Sequence, residues 1–272
     1  MLASWRNFHR RHVLLRFAVK SAILLVVAIL ILFPRFWLLP QWAARWSNPE
    51  DLIDPHHPGL AQLEQTARRR LQQLPAVTER EVFATAEQVV LEAIPYEYDW
   101  NNSGQVDHLP TVDEVFAAGV DDCDGEAIVI ASLLRRMGYQ ASLVTDFLHV
   151  WVQGPEAEAL SIGGTPSVTM HKRPAVRVDP QMFRNLTKGT LFGIRIFPAT
   201  RQLVLIAAIL LLAFHPRASG WRIILGSVLF VAGWLVLRQY QLSWSLWIPA
   251  ACFLAAIAGL ILILWRRRVA TG

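Results

Sequence analysis

One cysteine stands outside the hydrophobic segments of this sequence, and its neighbours are acidic: Asp121-Asp122-Cys123-Asp124-Gly125-Glu126. A histidine follows in Leu148-His149-Val150-Trp151-Val152. A cysteine attacks a carbonyl as its thiolate, and a helix start favours that anion through partial positive charge and unpaired N–H groups. An imidazole within reach can take the thiol proton as a base and return it to the leaving group as an acid. The chemistry these two residues would support is acyl transfer through a thioester.

The intervening elements must bring them together. Asp124 to Met137 reads as a helix stopped by Gly138, and it rises about 21 Å at 1.5 Å per residue. Ala141 to Phe147 reads as a strand that returns roughly 23 Å at 3.3 Å per residue. The two lengths nearly cancel, so His149 comes back to the level of Cys123. Ala127-Ile128-Val129-Ile130-Ala131 with Leu133-Leu134 is apolar all round, the mark of a helix enclosed by other structure. In Leu148 to Val152, His149 and Trp151 share one face, and Val176-Arg177-Val178-Asp179 repeats the alternation. If that segment returns antiparallel beside the histidine strand, Asp179 reaches the face of His149. A carboxylate there fixes the tautomer and orientation of the ring. Asp146 competes for this third position.

These residues resemble a family. Tyr96-Glu97-Tyr98-Asp99, Thr111 to Gly119, Asp122 to Ala127, Leu133 to Tyr139, His149-Val150-Trp151-Val152 and Val178-Asp179-Pro180 are similar, in order and spacing, to the transglutaminase-like superfamily, including bacterial transglutaminase-like cysteine peptidases. The resemblance covers about residues 93 to 180. It implies a papain-like, transglutaminase-like α+β domain in which a central buried helix packs on an antiparallel sheet. It also implies Cys123 as nucleophile, His149 as base, Asp179 as orienting acid, and a peptide or protein amide as substrate. The chain departs from the family in a short Cys-to-His interval, a long His-to-Asp interval and no evident second oxyanion donor. Trp100, Asn101, Asn102 and Gln105 are candidates for that donor beside the Cys123 N–H.

Two candidate metal sites compete with this chemistry. Twelve acidic residues and no Lys or Arg lie between Glu81 and Leu134. Asp107 with the Asp121 to Glu126 cluster offers oxygen ligands to calcium, but the spacing follows no EF-hand pattern and a solvated or helix-capping role is expected. Cys123, His149 and Asp179 would make three zinc ligands, without the second cysteine or close histidine pair such sites favour. No metal and no cofactor is expected.

The rest of the chain places this chemistry at a membrane. Of 272 residues, 54% are hydrophobic. All 21 acidic residues lie between Glu50 and Asp179, where the interval 46–190 has 11 Lys/Arg and a net charge of −10; the remainder carries +15. The basic pI of 9.7 therefore describes membrane flanks and argues for no nucleic acid. Residues 1–44 are expected to be a cytoplasmic basic arm and an uncleaved first transmembrane helix, because no small-residue cleavage site follows the apolar core. Residues 45–190 form the extracytoplasmic domain. Residues 191–272 hold three further helices at about 201–214, 221–237 and 244–265. With four spans, ten basic residues flank the cytoplasmic side and five the other, the distribution of a multi-pass inner-membrane protein. The C-terminal helices anchor the domain or contact a membrane partner.

Thr78 with Glu81 and Thr111 with Glu114 are candidate capping boxes. Cys252 lies in the last hydrophobic segment, so the domain has no internal disulfide. The expected function is a membrane-anchored thiol-dependent amide hydrolase or acyltransferase. The opposing expectation is a catalytically silent module that uses the same cleft to hold a peptide or protein partner.

Overall fold

The computed structural model describes residues 13–145, 149–154, 168–170, 175–176, 180–214, 219–239, 241 and 247–264. The chain divides into two compact units, Arg35–Gly189 and a second made of Met1–Pro34 with Thr190–Gly272. Helix α1 (Val13–Leu32) belongs to the second.

The Arg35–Gly189 unit runs through α2 (Leu39–Ser47), α3 (Leu60–Leu71), α4 (Glu79–Ala93), α5 (Asp99–Asn102), α6 (Val112–Ala118) and α7 (Cys123–Arg136). Four strands follow: β1 (Ser142–Thr145), β2 (Val150–Gln153), β3 (Val168–Met170) and β4 (Ala175–Val176). Local signals set several ends. Helices α4 and α6 start in reciprocal capping boxes, Thr78 with Glu81 and Thr111 with Glu114, each pair satisfying two backbone N–H groups that have no partner inside the helix. Helix α6 stops at Gly119, whose φ of +72° is cheap only for glycine.

Helix α7 is the centre of the unit. Every residue from Asp124 to Leu134 is buried, and the helix packs against α3, α4, α6, β1 and β2. Leu60 and Ala67 from α3, Val82 and Val90 from α4, Val112 and Val115 from α6 and Leu143 from β1 join its apolar side chains in one core. Burying each large member contributes ~1.5 to 3 kcal/mol, so the residue at the start of α7 has a rigid mount.

The expectation of a papain-like α+β domain is overturned. The chain is predominantly helical, and its strands are only four, four, three and two residues long. The central buried helix is present, but it is enclosed mainly by helices and meets only β1 and β2 of the sheet. The strand order is β2-β1-β3-β4, with all pairings antiparallel. Thus β4, the strand leading to Asp179, pairs with β3 at the far edge from β2. Val176 is therefore not beside the histidine strand, because alternation specifies which face a residue occupies and leaves the neighbouring strand open; Arg177 to Asp179 lie outside the described residues.

In the second unit, α8 (Pro180–Ile196) crosses the division and is followed by α9 (Ala199–Ala213), α10 (Gly220–Arg238) and α11 (Trp247–Leu264). Among the described residues, three helices are long and apolar enough to cross a membrane: Leu14–Leu32, Gly220–Arg238 and Trp247–Leu264. Helices α8 and α9, bent by 104°, would make a fourth if the pair counts as one broken span. Helices α10 and α11 approach backbone to backbone at glycines: a Cβ on Gly226 would lie 2.5 Å from the Gly259 carbonyl oxygen, and one on Gly233 2.7 Å from that of Cys252. Small residues allow such contact where water supplies no driving force for association. The α8–α9 corner is held by polar groups. Gln202 donates to the carbonyls of Ile194 and Phe197 and accepts from Trp234 Nε1 at 2.6 Å, while Arg238 donates to the Phe197 carbonyl at 2.8 Å.

Candidate functional site

Cys123 is the first residue of α7, behind the N-cap Asp122, whose carboxylate accepts from the Asp124 N–H at 3.4 Å. The approach is pinned by backbone: Glu97 N–H donates to the Asp121 carbonyl at 2.8 Å, in a bridge between Tyr96 and Asp121. The Asp121 side chain folds over the helix start so closely that a Cβ at Gly125 would lie 2.4 Å from its Cγ. Only glycine fits the second turn-forming position behind the cysteine.

His149 sits just before β2, where Thr145 Oγ1 donates to its carbonyl at 2.9 Å. Its ring stacks on that of Trp151, with centroids 6.2 Å apart and planes 12° from parallel. These rings share a face because the residues are two apart in extended chain. The backbone N–H of the next residue, Val150, lies where it favours the Cys123 thiolate.

Cys123 and His149 line the same cavity, of about 160 Å³. Helix α7 also contributes Glu126, Ala127 and Ile130, α4 contributes Phe83, Glu87 and Leu91, and β2 contributes Val150, Trp151 and Val152. Cys123 is half-buried and His149 exposed. Asp179 and its competitor Asp146 lie outside the described residues.

The four residues named as possible oxyanion donors do not line this cavity. Asn101 donates to Glu97 and Asn102 to the Val120 carbonyl, Gln105 faces His108, and Trp100 stacks on Tyr98. Trp151 does line it. Its side chain is 6% exposed and its Nε1–H is buried with no hydrogen-bond partner, an arrangement that costs about 1 to 3 kcal/mol unless something accepts the proton. The sequence singled out Trp151 only as a neighbour of His149 on the strand; a tryptophan two residues from a histidine, on its face, was the available signal.

The electrostatics oppose a resting thiolate. Burial, reinforced by the charges of Asp122, Glu126 and Asp99, pushes the Cys123 thiol up to about 12, against the pull of the Val150 N–H. The carboxylates behind it are crowded. Burial and the charges of Asp122 and Asp107 raise Asp99 to about 9. Asp124 is held well above the usual carboxylate range by burial and by Asp122. Burial is also the main cause that raises Asp121 to about 7 and Glu126 to about 7. Asp107 is raised by burial as well, although Trp42 and Trp46 of α2 both donate to it, at 2.8 and 3.1 Å.

Such groups either keep protons or gather a cation. Asp99, Asp121 and Asp122, and separately Asp99, Asp107 and Asp124, each bring three oxygens within 4.8 Å of one another, a donor set suited to a hard cation. The expected solvated or capping role describes Asp122 but not the buried Asp99, Asp121 and Asp124. Among the described residues, neither Cys123 nor His149 belongs to a group of three metal-type ligands.

No family model, no curated protein and no solved structure matches this chain.

Proposed function

We propose that this chain is a membrane-anchored, thiol-dependent amide hydrolase or acyltransferase acting on a peptide or protein. The observation that carries this reading is that Cys123, at the start of a buried helix, shares a cavity with His149 while the adjacent Val150 N–H lies where it favours the thiolate. In the reaction, His149 takes the Cys123 proton as the sulfur attacks the carbonyl carbon. The tetrahedral oxygen is held by the Cys123 N–H and by Trp151 Nε1, the buried donor with no other acceptor. The nitrogen leaves with the proton from His149, and water or an amine then releases the acyl group from sulfur. Asp179 is the proposed orienting acid for His149. The transglutaminase-like resemblance supports the same assignment, as a resemblance of short motifs.

The membrane setting is part of the proposal. Taking α8 and α9 as one span, the basic flanks favour an inner-membrane protein whose Arg35–Gly189 unit lies outside the cytoplasm. There the C-terminal helices would anchor the unit or meet a membrane partner.

The elevated thiol favours a second reading, a catalytically silent module that holds a peptide in the same cavity. Iodoacetamide labelling of Cys123 at pH 8, in full-length protein carrying Cys252→Ala, separates the two. Catalysis predicts that His149→Ala slows labelling at least about tenfold, since the imidazole no longer takes the proton. Equal rates in the two proteins would leave the binding module as the function.

A further inference from the structure

The cavity beside Cys123 holds two carboxylates that the chemistry above does not use. Glu87 comes from α4 and Glu126 from α7, and both line the cavity together with the thiol. Glu126 is 7% exposed and Glu87 half-buried. Among the described residues, neither carboxylate makes a hydrogen bond or an ion pair. Two carboxylates in one small cavity repel each other, and a cation between them relieves that repulsion. Phe83, Leu91 and Ile130 add apolar surface to the same lining. An apolar lining that also carries two carboxylates fits an alkyl stem ending in a cation.

We infer that the acyl substrate presents a primary alkylammonium group to this cavity, with Glu87 and Glu126 as its counter-charges. The inference rests on the acyl-transfer reading of Cys123. Glu87 and Glu126 are specificity residues here: they select which acyl group reaches the sulfur and take no part in the bond changes. Either a lysine side chain or the free amino end of a peptide supplies this chemistry, and the Phe83, Leu91 and Ile130 walls favour the longer alkyl stem.

Thiol reagents of different charge test this on full-length protein carrying Cys252→Ala. Methanethiosulfonates bearing an ammonium, a sulfonate or only a methyl group transfer their thiol half to Cys123 and release methanesulfinate. The ammonium reagent is expected to react at least about tenfold faster than the sulfonate, as field focusing in a charged cleft allows. Glu87→Gln with Glu126→Gln should remove most of that ratio, and Glu87→Gln alone, at the half-buried position, should remove part of it. Glu92→Gln, on the exposed face of α4 against Arg70, should leave it intact. A ratio unchanged in both the single and the double variant overturns the inference. Protection against the methyl reagent identifies the source: n-butylammonium protecting best points to a lysine side chain, alaninamide to a peptide amino end, and protection by neither beyond that of n-butanol overturns the inference. Failure of the acyl-transfer reading would look different, as a methyl-reagent rate insensitive to His149→Ala with the charge ratio preserved.

Discussion

The corner between α8 and α9 and the cavity beside Cys123 both bury polar groups, and they treat them in opposite ways. At the corner, the free carbonyls of Ile194 and Phe197 are met by Gln202 and Arg238, and the Gln202 oxygen is met in turn by Trp234. In the cavity beside Cys123, Trp151 keeps a buried N–H without a partner and Glu126 has no counter-charge among the described residues. A satisfied polar network fixes a shape. An unsatisfied one stores an affinity, because a ligand that completes it recovers the cost of its burial. The corner holds a helix bend; in the proposed function the cavity is the place that receives a ligand.

The sharpest way to break this comparison is to make the corner resemble the cavity. Gln202→Leu leaves two carbonyls with fewer donors and Trp234 Nε1 without its acceptor, and should destabilise the second unit by about 3 kcal/mol or more. Thermal unfolding in detergent, followed by tryptophan fluorescence, reads this directly. A loss below about 1 kcal/mol would mean that the network is ornamental.

The carboxylates behind the start of α7 respond to pH. Asp99 and Asp121, raised to about 9 and about 7, hold protons in the folded chain that they have lost in the unfolded chain above about pH 4. Their contribution is therefore fully present below about pH 4 and is lost as pH rises through 7 towards 9. The Arg35–Gly189 unit should melt lower at pH 9 than at pH 6 by at least about 3 °C, and Asp99→Asn should flatten that slope. Glu114 behaves in the opposite sense. Against the effect of burial, hydrogen bonds from His108, Arg45 and Thr111 hold it below the usual range, so its contribution is lost as pH falls below about 4. A pH 6 to 9 slope unchanged by Asp99→Asn would remove the buried carboxylates as its cause.

How much of this was legible in the sequence follows from which physics leaves a local mark. The enclosed helix was legible because Ala127 to Leu134 is apolar on every side, and the caps because Thr78-Glu81 and Thr111-Glu114 carry their own partners. The return of His149 to Cys123 followed from matched element lengths. Burial by distant segments leaves no such mark. Asp99 entered the sequence reading only as part of a motif, yet it is the shared member of both carboxylate groups. The papain-like sheet was expected from the family resemblance, and alternation placed His149 and Asp179 on a common face; alternation in two-to-four-residue strands sets faces and leaves strand order open, and β4 went to β3. At the α8–α9 corner the sequence predicts a helix at about 201–214, but the carbonyls that Gln202 meets across the bend leave no local mark.

Gly125 tests the rigidity of the mount itself. Gly125→Ala puts a methyl 2.4 Å from Asp121 Cγ, which must displace that side chain and the helix start with it. The expected cost is about 1 to 3 kcal/mol, measured by denaturant unfolding, with slower Cys123 labelling in the protein that remains folded. Unchanged stability and labelling would show that Asp121 moves aside freely and does not fix the thiol.

The smallest expected change in stability sharpens the comparison most. Two tryptophans present a buried indole N–H, one in each region: Trp234 donates to Gln202 and Trp151 donates to nothing. Phenylalanine removes the N–H from either and keeps most of the ring. Trp234→Phe should cost about 1 kcal/mol, because it strands the Gln202 oxygen. Trp151→Phe strands no partner, so its unfolding free energy should stay within about 0.5 kcal/mol of wild type apart from lost ring area. Its acyl-transfer rate, once an amide or ester substrate is in hand, should nevertheless fall by about 10²-fold, the usual effect of removing one oxyanion donor. A stable Trp151→Phe protein with an undiminished rate would remove Trp151 from the reaction and leave its N–H as an unexplained cost of folding. A loss of rate without loss of stability would assign that cost to the bound substrate.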